Sequence, residues 1–316
     1  MHFRSATFPL AIVALVLAVA AGCSPADMDQ NVPERSAGTV VTDDTGHQIE
    51  FPEVPTRIVS IAPNITETLF ALGADDRLVA VTDICDFPPE AKEKPNIGSF
   101  VSPSSEKIMA FEPDLVIGCG TLHPVLGRLR ELGVPVLSFN PQTVDELLAM
   151  IGRVGSAVGR EDAARGLTGP LRDEIGTVRS RIAALDATDK VEVFIEMWHD
   201  PLMTAGAGSF VNDLVESAGA VNVATSVGSH YFQLSQEHVL DADPEVILTA
   251  YMERGVSARD MILKRDAWQT VSAVSSGRIV DDIDPDLLLR PSIRAVHTVK
   301  ELAERFYPEL FRVQTK

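Results

Sequence analysis

One stretch of this chain occurs twice, and that repeat constrains the fold more than any other feature. Ser104-Ser105-Glu106-Lys107-Ile108 aligns with Ser235-Gln236-Glu237-His238-Val239. Without a gap, Pro113-Asp114-Leu115-Val116-Ile117 then aligns with Pro244-Glu245-Val246-Ile247-Leu248. In each copy the first residue is a serine suited to cap a helix, and the glutamate falls at the second helical position. The later proline stops the helix, and an acidic residue leads into an apolar strand. Glu106 and Glu237 therefore hold equivalent sites in two related lobes, where either would also complement a helix dipole.

The remaining periodicities extend the same picture. Thr39–Phe51 alternates apolar and polar residues around Asp44-Thr45-Gly46, a hairpin signature. Apolar runs follow at Ile58–Ala62, Leu78–Val81, Leu115–Ile117 and Val134–Ser138, with helical patterns between them. The first helical stretch, Thr66–Leu72, comes after a turn at Pro63-Asn64 and closes at Gly73. Past residue 190 the order is strand Val191–Ile195, helix Ser209–Ala218, strand Val246–Thr249, a helix around Ala258–Val274, strand Arg278–Val280 and helix Ile293–Phe306. Strands alternating with helices predict an α/β protein of two Rossmann-like lobes, each with a parallel sheet. Residues 39–159 form the first lobe and 187–316 the second. Between them Arg160–Asp186 lacks strand signals; as one helix it would run about 40 Å at 1.5 Å per residue. Pro170 is expected to kink this helix or break it near residue 169. A single long helix joining two lobes acts as a stiff hinge.

The front of the chain reads as an address. Arg4 precedes an apolar run from Phe8 to Ala21, too short to span a bilayer, which takes about 20 residues. The run ends Ala20-Ala21-Gly22-Cys23, which resembles the lipobox of bacterial lipoproteins. Residues 1–22 are thus expected to be a signal peptide, Cys23 the lipidation site, and 23–38 a polar tether holding the exported protein to a membrane surface. Lys and Arg total 27 against 45 Asp and Glu, a net charge of −18. Such a field repels phosphate backbones and argues against nucleic-acid binding.

Ligands of open parallel sheets sit beyond the carboxyl ends of the strands. Aromatic side chains gather there: Phe87, Phe100, Phe139, Trp198, Tyr231, Phe232 and Tyr251 all fall on segments after strands or on connecting loops. Flat apolar faces suit a large, partly apolar ligand, although Phe139 fits lobe core better. Cys85, Cys119, His123, His199 and His230 also lie on these loops. Each is a weak candidate for metal ligation; a hydrogen-bonded loop histidine or a small buried thiol is the simpler reading, and no metal ligand is assigned. A Cys85–Cys119 disulfide is disfavoured, because the first strand should separate theirs. The sequence has no HExxH, GxSxG or Walker loop, so an exported metalloenzyme is the least supported alternative.

From Arg57 onward the chain resembles the helical-backbone metal-receptor family. These are class III periplasmic binding proteins of bacterial ABC importers for vitamin B12, ferric siderophores and haem. The resemblance lies in RIVSIAPNITETLFALGADDRLVAVTDICDFPPEA, SSEKIMAFEPDLVI, DPLMTAGAGSFVNDLVESAGAVN and DIDPDLLLRPSIR, and points to the cobalamin-binding branch. It implies a monomeric, non-enzymatic binding protein that carries a corrinoid, with its cobalt, as transported ligand rather than catalytic cofactor. Its partner would be an importer's permease dimer, with Glu106 and Glu237 docking onto permease arginines. Phe100, Tyr231 and Asp286 match cleft positions of that branch. Ile84 replaces a ligand-contacting Tyr, and Leu287–Leu289 replace a more polar, aromatic stretch, which leaves open a different corrinoid, a haem or a siderophore. Arg290 and Arg294 are the nearby basic residues, few for an anionic siderophore.

Overall fold

The computed structural model describes residues 38–120, 124–253, 255 and 257–311. The expected signal peptide, Cys23, the tether up to residue 37, and His123 lie outside the described residues. Strands β1 (Thr39–Thr42) and β2 (Gln48–Phe51) form the expected hairpin. Its turn is organised by the buried Asp43, whose Oδ1 accepts from the amides of Thr45 and His47, both at 2.9 Å. Oδ2 of the same carboxylate accepts from the Ser138 amide at 2.9 Å and so fastens the hairpin to the first lobe.

That lobe contains β3 (Ile58–Ser60), α1 (Pro63–Ala71), β4 (Leu78–Val81), α2 (Ser105–Ala110), β5 (Leu115–Cys119), α3 (Pro124–Glu131) and β6 (Val136–Phe139). Its sheet is wholly parallel, in the order β4-β3-β5-β6. β3 lies between β4 and β5, and Cys85 and Cys119 are free thiols. Pro63 and Asn64, expected as a turn, instead open α1; proline at the first helical position forfeits no hydrogen bond. Then come α4 (Val144–Ala157) and α5 (Glu161–Ile182).

The second lobe contains β7 (Glu192–His199), β8 (Leu202–Ala205), α6 (Phe210–Ser217), β9 (Val221–Asn222), β10 (Tyr231–Gln233), α7 (Gln236–Ala242) and β11 (Val246–Thr249). It continues with α8 (Ala258–Leu263), α9 (Ser272–Ser275), β12 (Ile279–Val280), α10 (Pro285–Leu289), α11 (Ala295–Phe306) and α12 (Pro308–Phe311). Here the expectation of a parallel sheet needs correction. β7, β9, β11 and β12 are parallel, but β8 runs antiparallel to β7 and β10 antiparallel to β8. The tight turn at Asp200-Pro201 folds the chain straight back along β7, and a hairpin without a crossover must be antiparallel. Tyr231 and Phe232 thus lie on a strand rather than on a connecting loop. The helix expected around Ala258–Val274 is three pieces: α8, a 3-10 turn at Asp266–Thr270, and α9.

The repeat holds down to the backbone. Ser104 Oγ accepts from the Lys107 amide and Ser235 Oγ from the His238 amide, each at 3.2 Å. Glu112 and Asp243, at matching positions before the prolines, both take left-handed conformations, with φ of 45° and 42°. Asp114 then accepts from the amides of Thr56 and Arg57, and Glu245 from that of Glu192, so each acid anchors the start of the neighbouring strand.

α5 has 22 residues and runs through Pro170 without a break. Its buried stripe, Ala164, Thr168, Leu171, Ile175, Val178 and Ile182, repeats at helical spacing. α4 of the first half and α11 of the second both pack on α5. One apolar cluster runs from Leu137 and Phe139 of β6 through α4 and α5 to Val211 and Leu214 of α6 and Val299 of α11. The two lobes therefore share core rather than hanging from a linker. Among the described residues, no helix is long and apolar enough to cross a membrane.

Candidate functional site

A cavity of about 640 Å³ opens where the carboxyl ends of both sheets converge. The first lobe supplies Ala62, Pro63 and Asn64 after β3, Ile84 and Asp86 after β4, Phe100, and Cys119 at the end of β5. The second supplies Met197 of β7, Tyr231 of β10, Met252 after β11, and Asp286, Leu289, Arg290 and Pro291 from α10 and the loop beyond it. Its walls are mostly apolar, as in sites for small organic ligands.

The charged groups in this cavity face each other. Arg290 Nη1 donates to Asp86 Oδ1 at 2.8 Å, and Arg290 Nε lies 3.1 Å from Asp286 Oδ1. Burial opposes ionisation of Asp86, but the hydrogen bond and charge of Arg290 outweigh it and hold this carboxyl below the usual range. Beside the cavity, Arg294 makes a bidentate pair with Glu67 at 2.8 and 2.9 Å, its guanidinium 3.8 Å from the centre of the Phe87 ring. Both arginines come from the second lobe, and Asp86 and Glu67 come from the first, so these two pairs tie the lobes together, while Asp286 holds Arg290 from within its own lobe. The backbone amide of Val144 donates to Asp213 of α6 at 2.7 Å, a third cross-lobe contact.

Neutral polar groups sit deeper. Asn64 is 3% exposed, and its Nδ2 has no hydrogen-bond partner. A buried donor without an acceptor costs about 1–3 kcal/mol, so its position at a cavity wall is informative. It belongs to the first turn of α1, whose N-terminus has no side-chain cap and no acidic residue. Burial pushes the neighbouring Cys119 thiol up to about 11, in spite of the Asn64 amide beside it.

Of the residues expected here, Ile84, Phe100, Tyr231 and Asp286 line the cavity; Phe87, Trp198 and Phe232 do not. Alternation explains one miss: on β10, Tyr231 faces the cavity and its neighbour Phe232 packs into the second lobe's core. A bulge between Glu196 and Trp198 explains another. It sends Met197 to the cavity, while Trp198 packs against His199 and Tyr251, with ring centres 4.6 and 5.4 Å away. Phe87 is occupied by Arg294. Tyr251 is buried and donates to Glu196, which also receives both Nη groups of Arg265 at 2.7 Å. Phe139 is fully buried core.

The metal candidates do not converge. Cys85 is buried in the apolar core and bonds the hydroxyls of Thr66 and Thr82 at 3.2 Å each. His199 and His230 lie off the cavity, and among the described residues no three His, Cys, Asp or Glu side chains are grouped to hold a metal ion. Met197 and Pro291 were not foreseen, and neither carries a sequence signal that marks it. Glu106 and Glu237 are exposed on the second helical positions of α2 and α7. Its own amide, then Ser104, hold the Glu106 carboxyl below the usual range.

Comparison with known proteins agrees with this architecture. The chain is 30% identical over 312 residues to the ABC transporter substrate-binding lipoprotein YvrC of Bacillus subtilis, covering 96% of this chain and 97% of the relative. The periplasmic haem-binding protein of Roseiflexus sp. RS-1 shares 30% identity with a TM-score of 0.70, covering 80% of this chain and 98% of that one. The periplasmic vitamin B12-binding protein of Vibrio cholerae shares 26% identity, also with a TM-score of 0.70, covering 82% and 99%. Residues 58–286 match the family model described as periplasmic binding protein. With that match spanning both lobes and the cleft between them, the chain belongs to the periplasmic binding protein family.

Proposed function

We propose that this protein captures a corrinoid in the cleft and delivers it to the permease dimer of an ABC importer, anchored outside the cytoplasmic membrane by lipid on Cys23. The observation that carries the choice of cargo is the charge arrangement of the cavity. Arg290 is the one cation among the described lining residues, and it lies between Asp86 and Asp286. A corrin ring carries neutral carboxamide arms, whereas haem carries two propionates and catecholate siderophores are polyanions. A cavity of self-paired charge, apolar walls and an unpartnered amide donor at Asn64 suits the carboxamides. Exposed Met252 and Tyr231 leave its mouth open for a ligand larger than the cavity. Relatives named for vitamin B12 binding point the same way. Glu106 and Glu237 are the proposed docking acids, since exposed charge at equivalent places on two lobes suits steered association with a two-subunit permease.

A haem or ferric siderophore is the second reading. Tyr231 and Cys119 both line the cavity, and phenolate and thiolate are donors for iron. Calorimetric titration with cyanocobalamin separates the two. Phe100→Ala and Tyr231→Ala should each weaken binding about tenfold or more, the loss expected for one aromatic face packed on a ligand. Unchanged affinity in both variants would place the ligand elsewhere and overturn the assignment of this cleft.

A further inference from the structure

We propose that Asp86 and Asp286 are selectivity residues, which by holding Arg290 between them make the cavity prefer a carboxamide-bearing ligand to its carboxylate counterpart. This deepens the corrinoid reading by naming the ligand group that the cavity selects.

The acids come from different places. Asp86 reaches across from the loop after β4, and Asp286 stands one turn before Arg290 in the first turn of α10. The three side chains are 34%, 21% and 19% exposed, so water screens them only partly. Together they carry one net negative charge along the cavity wall. An entering carboxylate must displace an acid from Arg290 or sit beside two like charges, and like charge in a partly dry site costs binding. A carboxamide meets neither penalty. Its carbonyl accepts from the guanidinium while its NH₂ donates to a carboxylate, matching the acid–base–acid order of the array. The other nearby cation gives the carboxylate no alternative, because Arg294 is engaged by Glu67 and by the Phe87 ring.

The test uses two ligand pairs, each a neutral form against its carboxylate: cyanocobalamin against its monocarboxylic acid, in which one peripheral amide is hydrolysed, and haem dimethyl ester against haem, a pair that reads the charge penalty alone. Each is titrated into the full chain, wild type and Asp86→Asn/Asp286→Asn. Wild-type protein should prefer the neutral corrinoid by about tenfold, and the double variant should lose or invert that preference. If it does not fold, Asp86→Asn and Asp286→Asn are tested singly and should each lower the ratio. A ratio unchanged in folded variants overturns the proposal and leaves the array as a lobe clasp only. If no corrinoid binds but wild type prefers the ester and the variant prefers haem, the corrinoid reading fails and the charge selection stands. Binding of neither pair by any form overturns both.

Discussion

Glu67→Gln tests whether charge pairs clamp the lobes. The Glu67 side chain is 1% exposed and that of Arg294 24%, joined by two hydrogen bonds of 2.8 and 2.9 Å. Glutamine keeps the shape but leaves the guanidinium facing a neutral amide. Removing one partner of a fully buried pair costs about 3–5 kcal/mol. Partial exposure of Arg294 and its stacking on Phe87 soften that loss to about 2–3 kcal/mol. At roughly 2–3 °C per kcal/mol for a protein of this length, Tm should fall by about 4–9 °C in differential scanning calorimetry. The double change Glu67→Met/Arg294→Met should recover much of the loss, since it strands no charge. A Glu67→Gln midpoint within about 1 °C of wild type would mean that this pair does not clamp the lobes.

Three further outcomes are expected. Glu106→Ala/Glu237→Ala should leave corrinoid affinity within about twofold and weaken co-purification with the permease; lost ligand affinity would make these acids structural. With its thiol near 11, Cys119 should react with iodoacetamide at pH 8 about two orders of magnitude more slowly than an ordinary cysteine, read site by site by mass spectrometry. Rapid labelling would contradict the burial that raises it. Stability should fall in acid in a defined window. Asp282 is held low chiefly by its hydrogen bonds from Arg305, and Asp86 by Arg290 acting against burial. The native state thus binds fewer protons than the unfolded chain, so this stabilisation is full above about pH 4 and is lost as pH drops through the lowered values. Urea midpoints measured from pH 6 to pH 3 should slope less steeply in Asp86→Asn and Asp282→Asn, and identical slopes would count against both assignments.

Where chemistry was local, the sequence was readable. Serine caps, helix-ending prolines and strand-leading acids recur within a few residues, and the structure repeats them even to the left-handed Glu112 and Asp243. The Leu78–Val81 strand follows from its apolar run and α5 from the lack of strand signals across Arg160–Asp186, whereas the buried stripe of α5 became visible only in the structure. β8 escaped because Leu202–Ala205 is short and its identity depends on folding back along β7. The cavity was readable as a set of strand ends but not as a set of side chains. Which of Met197 and Trp198 faces inward is decided by a bulge, and which of Tyr231 and Phe232 by the register of β10 on β8. The pairing of Asp86 with Arg290 spans 204 positions and leaves no trace in local pattern.

Whether this cleft holds a corrinoid is decided by a parallel titration with cyanocobalamin and haem, followed by calorimetry and visible absorption. One-to-one corrinoid binding is expected, with haem weaker by at least about tenfold. Tight haem binding with no response to corrinoid would contradict it.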